Sequence, residues 1–263
     1  MAKNKHPIHK PATPDNKSNA ASVLVALPVF NEMKYLNDVL SAVFKYSDNI
    51  LIVDDGSTDG GSGLLKSYSD IKLISHQKNI GYGQSLIEAF DFAVNHDFKW
   101  VITIDCDYQH EPSYIPHFLY EIEKDDADII SGSRYLHKID LGVLPPPADR
   151  VAINRNITLI LNENLELNLT DAFCGFKAYR TSAISRLDLT EKGYRMPLQL
   201  WVRACRAGLR IREIPVPLVY HDPKRKFCGP LEDPENRMNY YLEIIDRELG
   251  YNVGRNIADD LYS

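Results

Sequence analysis

The sequence predicts an α/β fold in which a mostly parallel central sheet is flanked by helices. Short apolar runs typical of buried strands alternate with stretches in which apolar residues recur at the spacing of a helix. Regular alternation of this kind indicates βαβ units, and ligands bind such sheets beyond the carboxyl ends of the strands. The 263 residues, 44% of them hydrophobic, suffice for one substantial domain.

The first half of the chain carries the clearest alternation. Its apolar runs predict strands at Val23–Leu27, Ile50–Val53, Ile71–Ile74, Trp100–Ile104 and Asp128–Ser131. Stripes with the i, i+3, i+4, i+7 spacing of a core-facing helix begin at Leu36, Leu86 and Ile115. The turn-rich segment Asp54–Gly60 is expected to open a further, short helix.

The second half is predicted from weaker patterns. His137–Arg150 lacks periodicity and contains three consecutive prolines, so we expect either a mobile loop that closes over a bound ligand or a plain proline-rich connection. Helices are predicted at Val151–Leu161, Leu198–Ala207 and Pro234–Leu249, and a strand at Leu209–Val216. We therefore expect a disordered tail over residues 1–21, a domain over residues 22–230 and a helical extension over residues 231–263.

Charge and hydropathy exclude some classes of partner. The net charge of −6 and the pI near 5.8 argue against nucleic acid, because binding to a phosphate backbone needs a basic face. The sequence contains no apolar run of the roughly 18 to 20 residues that span a bilayer. We expect a cytoplasmic protein whose membrane contact, if there is any, is peripheral, and we leave the oligomeric state open.

An acidic motif directly follows the predicted strand Trp100–Ile104. Asp105, Asp107 and Gln109 recur at every second residue, and in an extended chain this period places all three side chains on one side. Two carboxylates and an amide oxygen suit a hard cation, so the motif points to Mg²⁺ or Mn²⁺ held between the protein and substrate phosphates. The alternative is an ordinary strand end with a solvated acidic turn.

Two further polar segments, Pro28–Glu32 and Asp54–Thr58, also follow predicted strands. Because the carboxyl ends of parallel strands meet at one edge of a sheet, we expect both segments to lie beside the acidic motif. Neither a glycine-rich dinucleotide turn after the first strand nor a Walker A loop is present. If the site binds a nucleotide, it therefore does so by another arrangement.

Taken together, the motifs resemble those of the family 2 inverting glycosyltransferases, and most closely the dolichol-phosphate mannose synthase branch. The resemblance runs from about residue 23 to residue 220. It rests on Leu27–Glu32, Val53–Gly60, Asn79–Ser85, Asp105–His110, Gly132–Tyr135, Thr170–Tyr179, Gly193–Tyr194 and Glu213–Val216, in that order. It implies a GT-A fold and metal-dependent transfer of a hexose, mannose or glucose, from a nucleotide-diphosphate sugar to a polyprenyl phosphate of the dolichyl or undecaprenyl type.

The resemblance also implies roles for individual residues on the donor side. It assigns the donor nucleotide to Pro28, Phe30, Glu32, Asp55, Gly81 and Asp105, and the metal on the diphosphate to Asp105, Asp107 and Gln109. A divalent ion there would neutralise the charge that develops on the leaving group. Taken without the resemblance, Phe30 fits a core position equally well and Asp55 a turn former.

On the acceptor side, the catalytic residues implied beside Asp107 are Arg134 and Asp171. Arg134 would contact the acceptor phosphate, although a surface ion pair is the simpler interpretation. Asp171 suits a general base if the acceptor is a hydroxyl. It suits an orienting residue if the acceptor is a phosphate, because a phosphate dianion needs no deprotonation. Both roles remain open at this point.

The chain departs from the branch at two places. Gln199 stands where the branch has a glutamate, and Tyr220–Gly229 replaces its second basic motif. Lys224, Arg225 or Lys226 is the expected substitute for that acceptor contact. These departures leave two alternatives, which are transfer to a sugar or small-molecule hydroxyl and a catalytically silent subunit that binds nucleotide sugars.

Overall fold

A seven-stranded sheet runs through the part of the chain that the structure, a computed structural model, describes, namely residues 22–137, 145–219 and 229–253. The strand order is β3-β2-β1-β4-β6-β5-β7. The strands are β1 (Val23–Val29), β2 (Ile50–Asp54), β3 (Lys72–Ser75), β4 (Trp100–Thr103), β5 (Ile129–Ser133), β6 (Lys177–Arg180) and β7 (Ile211–Pro215). The predicted tail over residues 1–21 lies outside the described residues.

Four of the six strand pairings are parallel, which confirms the mostly parallel sheet. The exception is β6, which lies antiparallel between β4 and β5 and was not predicted from the sequence. Because β6 runs in the opposite direction, its first residue, Lys177, pairs with Thr103 at the end of β4. The segment that precedes β6 therefore lies at the same sheet edge as the acidic motif.

Helices cover both faces of this sheet. They are α1 (Met33–Val43), α2 (Gly61–Leu65), α3 (Tyr82–Asn95), α4 (Ile115–Glu123), α5 (Ala148–Leu165), α6 (Thr181–Ile184), α7 (Met196–Arg206) and α8 (Pro234–Leu249), with short 3-10 turns at Pro112–Tyr114 and Gly229–Glu232. The predicted loop His137–Arg150 is wrong at its end, because α5 begins at Ala148. Pro147 sets up this start, since its fixed φ leads the chain directly into the first turn. Residues 138–144 of that loop, and Lys224–Lys226, lie outside the described residues.

The strands explain why the core has two layers. Leu24 and Ala26 of β1 belong to one buried cluster, while Val25 and Leu27 belong to the other. Successive side chains of a strand point to opposite faces, so a strand covered on both faces must be apolar throughout. Each such side chain contributes about 1.5–3 kcal/mol when it is fully buried.

The C-terminal helix α8 packs on the same domain. Asp233 caps its first turn by accepting a hydrogen bond from the Asn236 N–H at 2.8 Å, and Gly250 ends it with φ of 85°. Ile244 and Ile245 are fully buried in one of the two clusters. None of the helices in the described ranges combines the length and the apolar character needed to cross a membrane.

Candidate active site

A cleft of about 580 Å³ lies beyond the carboxyl ends of β1, β2, β4 and β5. The predicted site residues on its wall are Pro28, Phe30, Glu32, Asp55, Asp105, Asp107, Gln109 and Arg134. Gly81 and Asp171 lie behind this wall and contact it through Asp55 and Arg134. The structure therefore brings the predicted residues together at one edge of the sheet, as the parallel-strand rule requires.

The loops after β1 and β2 hold each other in place at one end of the cleft. Asn31, in a left-handed conformation with φ of 58°, accepts a hydrogen bond from the Thr58 N–H at 2.8 Å. Its own N–H donates to Ser57 Oγ at 2.9 Å. Phe30, beside this link, is 36% exposed and lines the cleft, so it is not the core residue that its type alone would allow.

Asp55 organises the entry to α3. Its Oδ1 accepts from the Ile80 N–H at 2.8 Å and its Oδ2 from the Gly81 N–H at 2.9 Å. Gly81 has φ of 118°, and a Cβ at this position would lie 2.2 Å from the Lys192 carbonyl oxygen. Only glycine fits this position. Asp55 thus positions the loop behind the cleft, and its predicted contact with the donor nucleoside stays a prediction.

A histidine joins Asp55 to helix α3. His76 lies with Nδ1 2.7 Å from Asp55 Oδ1 and Nε2 2.8 Å from Glu88 Oε2. Burial lowers the pKa of His76, but the hydrogen bonds to Glu88 and Asp55 outweigh it, so the pKa is raised above 6.5. Protonated His76 bridges the two carboxylates.

The acidic motif is a turn and not an extended segment. Strand β4 ends at Thr103, Tyr108 has φ of 64°, and the Gln109 N–H donates to Asp107 Oδ1 at 3.0 Å. The period-two reason for the convergence of Asp105, Asp107 and Gln109 was therefore wrong. The three residues share the cleft because the chain turns back on itself through an aspartate-centred hydrogen bond.

Asp105 is held from several sides. The Tyr82 hydroxyl donates to Asp105 Oδ1 at 3.0 Å, and the Asp105 N–H donates to His110 Nδ1 at 3.1 Å. Burial lowers the pKa of His110 to about 4, so its ring is neutral at pH 7 and Nδ1 is free to accept. A Cβ on Gly175 would lie 2.3 Å from Asp105 Oδ2, so only glycine leaves room for this carboxylate.

The donor set fits a hard divalent cation. Asp105 and Asp107 present carboxylate oxygens and Gln109 an amide, which are the ligand types that Mg²⁺ and Mn²⁺ prefer. Within the described ranges, no group of three or more His, Cys, Asp or Glu side chains gathers around one point. A cation here would therefore need oxygens from a substrate or from water to complete its coordination, as is usual for Mg²⁺ on phosphates.

At the other end of the cleft, Arg134 forms a buried ion pair with Asp171. Arg134 follows β5, and its Nε and Nη2 donate to the two Asp171 oxygens at 2.6 and 2.9 Å. The carboxylate also accepts from the N–H groups of Arg134, Phe173 and Cys174 and from Asn154 Nδ2, at 2.8–3.2 Å. Six donors therefore surround a side chain with 0% exposure.

These contacts decide the ionisation of Asp171. Burial by itself would raise its pKa, but the Arg134 guanidinium and the hydrogen bonds outweigh burial and hold the pKa at about 2. The same pairing raises the pKa of Arg134 despite burial. Asp171 is a permanent anion whose lone pairs are all directed at donors, which is unfavourable for a general base.

Several residues of the site were not found from the sequence. Asn154 and Thr158 interrupt the apolar face of α5, and Thr158 Oγ1 donates to Asn154 Oδ1 at 3.0 Å behind Asp171. Polar residues four positions apart on a buried face were the available signal. Tyr241 of α8 belongs to one of the two core clusters and also lines the cleft together with Arg237 and Arg150.

Gln199, the first departure from the resemblance, is a structural residue. It is fully buried, and its Oε1 accepts from the N–H groups of Thr190 and Glu191 at 2.8 and 2.9 Å. Its Nε2 donates to Glu248 Oε1 of α8 at 2.6 Å. The glutamine therefore joins α8 to the loop before α7, and it does not belong to the residues that form the cleft wall.

Solved structures share this architecture. Glucosyl-3-phosphoglycerate synthase from Mycobacterium tuberculosis, in complex with Mn²⁺, uridine diphosphate and glucosyl-3-phosphoglycerate, superposes with a TM-score of 0.69 at 17% identity, covering 94% of this chain and 88% of that chain. The complex of the same enzyme with phosphoglyceric acid gives a TM-score of 0.70 with the same coverage. The fold is that of the GT-A glycosyltransferases.

Residues 24–188 match the model of the family described as glycosyl transferase family 2, and the chain belongs to that family. The undecaprenyl-phosphate mannosyltransferase of Micrococcus luteus is 28% identical over 207 residues, which cover 75% of this chain and 83% of that protein. The polyprenol monophosphomannose synthase of Mycolicibacterium smegmatis is 26% identical over 204 residues, covering 73% and 76%. The chain is therefore a glycosyltransferase, and the resemblance found from its motifs is confirmed.

Proposed function

We propose that this glycosyltransferase moves a hexose, mannose or glucose, from a nucleotide-diphosphate sugar to a polyprenyl phosphate, with inversion and with a divalent cation on the donor. An acceptor oxygen attacks the anomeric carbon, and the bond from that carbon to the diphosphate breaks with its electron pair on the leaving group. The two relatives named above carry polyprenyl-type acceptors in their names. Action on a lipid phosphate would place the protein at a membrane surface as a peripheral protein.

The single observation that carries this proposal is the saturated Asp171 carboxylate beside Arg134. Transfer to a hydroxyl requires a base near the acceptor, and Asp171 has six hydrogen-bond donors around it and a pKa of about 2. A phosphate monoester, with a second pKa near 6, is mostly a dianion at neutral pH and needs positioning instead of deprotonation. A guanidinium held at the cleft wall by a buried carboxylate suits that task.

The other cleft carboxylates are placed for the donor. Glu32 and Asp55 follow β1 and β2, which lie on the far side of β4 from Arg134. Asp105 and Asp107 follow β4, between the two ends. A Mg²⁺ or Mn²⁺ ion held by Asp105, Asp107 and Gln109 would supply charge neutralisation of the diphosphate as it leaves. The chain's own contribution is to fix these oxygens through the Tyr82 and His110 contacts.

Arg134→Ala tests the acceptor. With undecaprenyl phosphate, loss of a charge-assisted contact worth roughly 1.5–3 kcal/mol predicts a fall in kcat/KM of about tenfold to a hundredfold. Donor affinity of the folded variant should change little, because Arg134 lies across β4 from the donor loops. Its melting temperature should fall, because Asp171 loses its buried partner. Arg155→Ala, on the exposed face of α5, is the matched control and should behave as the wild type.

Parallel assays with simple sugars as acceptors test the alternative that the acceptor is a hydroxyl. Efficient transfer to sugar hydroxyls, with Arg134→Ala fully active and Asp171→Asn inactive, would contradict the phosphate acceptor. It would show that the acceptor is a hydroxyl. GDP-mannose and UDP-glucose are each supplied in these assays, since the donor base and sugar are the remaining variables.

Asp107→Asn tests the cation. It removes one charge from the cleft and no core side chain, so transfer should be lost while the melting temperature stays unchanged. Asp188→Asn is the control, because the Asp188 side chain is 92% exposed and remote from the cleft. Unchanged turnover of Asp107→Asn in saturating Mn²⁺ would remove Asp107 from the proposed metal site.

A further inference from the structure

The acceptor end of the cleft has a second wall, part of which lies outside the family match. The match ends at residue 188, whereas Arg237 and Tyr241 of α8 line the cleft beside Arg150 of the first turn of α5. The sequence predicted a second basic contact near Lys224–Lys226. Two arginines already line this wall within the described residues.

Arg237 joins the two helices that form this wall. Its side chain is 3% exposed, and Nη1 donates to the Leu231 carbonyl oxygen at 2.9 Å. Its Nη2 donates to Asp149 Oδ2, next to Arg150 in the first turn of α5. A buried guanidinium with a carboxylate partner is held in one position. Arg237 therefore fixes the position of the first turn of α5, and with it Arg150, relative to α8.

Tyr241 adds an unused hydrogen-bond donor between these charges. The residue is 4% exposed, and its ring packs against Phe173 with centroids 4.7 Å apart. Its hydroxyl makes no hydrogen bond with any residue that the structure describes, and it is not one of the polar atoms enclosed without a partner. The hydroxyl thus opens onto the cleft that the residue lines.

Both arginines line the same cleft as Tyr241. Burial raises the pKa of Tyr241 to about 12, while the charges of Arg237 and Arg150 act in the opposite direction. The phenol is therefore protonated at neutral pH and can donate a hydrogen bond to an acceptor such as an anion. Asp149, the carboxylate of this wall, is paired with Arg237.

We propose that Tyr241, Arg150 and Arg237 form a second contact for the acceptor phosphate, opposite Arg134, with the Tyr241 hydroxyl donating to a phosphate oxygen. This inference rests on the proposed function and names the residues that take the place of the missing basic motif. Two guanidinium groups and a phenol O–H provide donors and positive charge, which are the features that recognise a phosphate monoester.

Tyr241→Phe is the decisive variant because it removes the hydroxyl and keeps the packed ring. Binding of undecaprenyl phosphate in detergent micelles, measured by calorimetry, should weaken about tenfold or more, the range for a hydrogen bond to a charged group. Binding of undecaprenol, which lacks the phosphate, should be the same in wild type and variant. Tyr251→Phe is the matched control. The Tyr251 hydroxyl donates to Asn164 Oδ1 at 2.6 Å, and neither residue lines the cleft.

Two further measurements separate recognition from structure. Arg237→Gln should weaken binding of undecaprenyl phosphate and leave binding of undecaprenol unchanged, whereas a merely structural role predicts equal losses for both lipids. Inorganic phosphate should compete with the lipid in the wild type and less well in Tyr241→Phe. Melting temperatures identify any variant that fails to fold, and Tyr241→Phe then remains the deciding one.

The possible failures are distinguishable. Equal affinity of wild type and Tyr241→Phe for undecaprenyl phosphate, in a wild type that transfers to this lipid, would overturn the second contact and leave the proposed function intact. A wild type that neither binds undecaprenyl phosphate nor transfers to it, and glycosylates sugar hydroxyls, would overturn both.

Discussion

Asp171→Asn probes the buried ion pair on which the acceptor assignment depends. The substitution keeps the shape of the side chain but replaces one carboxylate oxygen by an amide NH₂. If that oxygen is Oδ2, the N–H and Nε–H of Arg134 lose their acceptor at 3.1 and 2.6 Å and face another donor. In the opposite orientation, four donors are affected. Either way, the guanidinium loses its counter-charge in a buried setting.

The structure sets the size of the effect on stability. Removing one partner of a buried ion pair costs about 3–5 kcal/mol. At about 2–4 °C per kcal/mol for a domain of this size, the melting temperature should fall by roughly 6–20 °C. Asp188→Asn, which makes the same chemical change on a 92% exposed side chain, should melt with the wild type.

The pH dependence of this difference has a definite sign. The pKa of Asp171 is lowered from 3.8 to about 2 on folding, so its ionisation stabilises the fold fully above pH 3.8. That contribution is lost as the pH falls through about 2. Chemical denaturation of wild type and Asp171→Asn between pH 2 and pH 7 should show the two free energies of unfolding converging only at the acid end. A variant as stable as the wild type at pH 7 would refute the ion-pair reasoning.

The kinetics of the same variant separate positioning from base catalysis. A lost general base lowers turnover by roughly 10²- to 10⁴-fold. For a phosphate acceptor we expect a smaller loss of turnover, caused by the displaced Arg134. In both proteins the pH–rate profile should show an acidic limb near pH 6, which is set by the acceptor phosphate. An acidic limb that is present in the wild type and absent from Asp171→Asn would assign the titrating group to Asp171 and contradict our interpretation.

Two further predictions concern the donor side. Gly175→Ala would place a Cβ 2.3 Å from Asp105 Oδ2, so activation of transfer should require higher Mn²⁺ concentrations. Gly63→Ala has no atom within 4 Å of the new Cβ, so it should need the same Mn²⁺ concentration as the wild type. The raised pKa of His76 means that its charged form stabilises the fold fully below pH 6.5, and this contribution is lost as the pH rises through the higher folded pKa. Chemical denaturation should therefore show the wild type losing more stability between pH 6 and pH 9 than His76→Gln, and equal losses would contradict the bridge between Asp55 and Glu88.

The sequence predicted most of the sheet because buried parallel strands leave a plain signal. A strand covered on both faces must be largely apolar, and β1, β2 and β4 meet that condition except at the last residues of β2 and β4, Asp54 and Thr103. Strand β6 was not predicted because its four residues include the charged Lys177 and Arg180 and show no alternation of apolar and polar residues. Its antiparallel placement follows from tertiary pairing with β4 and β5, which no local pattern encodes.

The site was predictable where loops follow strands and unpredictable where helices contribute from a distance. Asp105 and Arg134 follow strand ends, so the sheet rule brought them to one edge. Tyr241 had only its helical spacing with Ile245 as a signal, and that spacing describes a core-facing stripe equally well. Tyr241 is a cleft residue if its ring ends at the cleft and a core residue if its ring ends at another side chain. The packing of α8 on α5 decides between the two.

The two ends of the cleft carry different charged groups, and under the proposed function this limits which ligand occupies which end. Asp105 and Asp107 make the donor end anionic, so a diphosphate can approach it only with a cation that offsets the repulsion. At the other end, Arg134 and Arg237 are paired with Asp171 and Asp149, and together with Arg150 they offer guanidinium donors to an acceptor phosphate under the proposed function. If the two ligands exchanged ends, the acceptor phosphate would lie beside the Asp105 and Asp107 carboxylates without a cation between them. If donor and acceptor are ordered along the cleft in this way, undecaprenyl phosphate should bind the wild type without Mn²⁺, whereas nucleotide-sugar binding should depend on the metal.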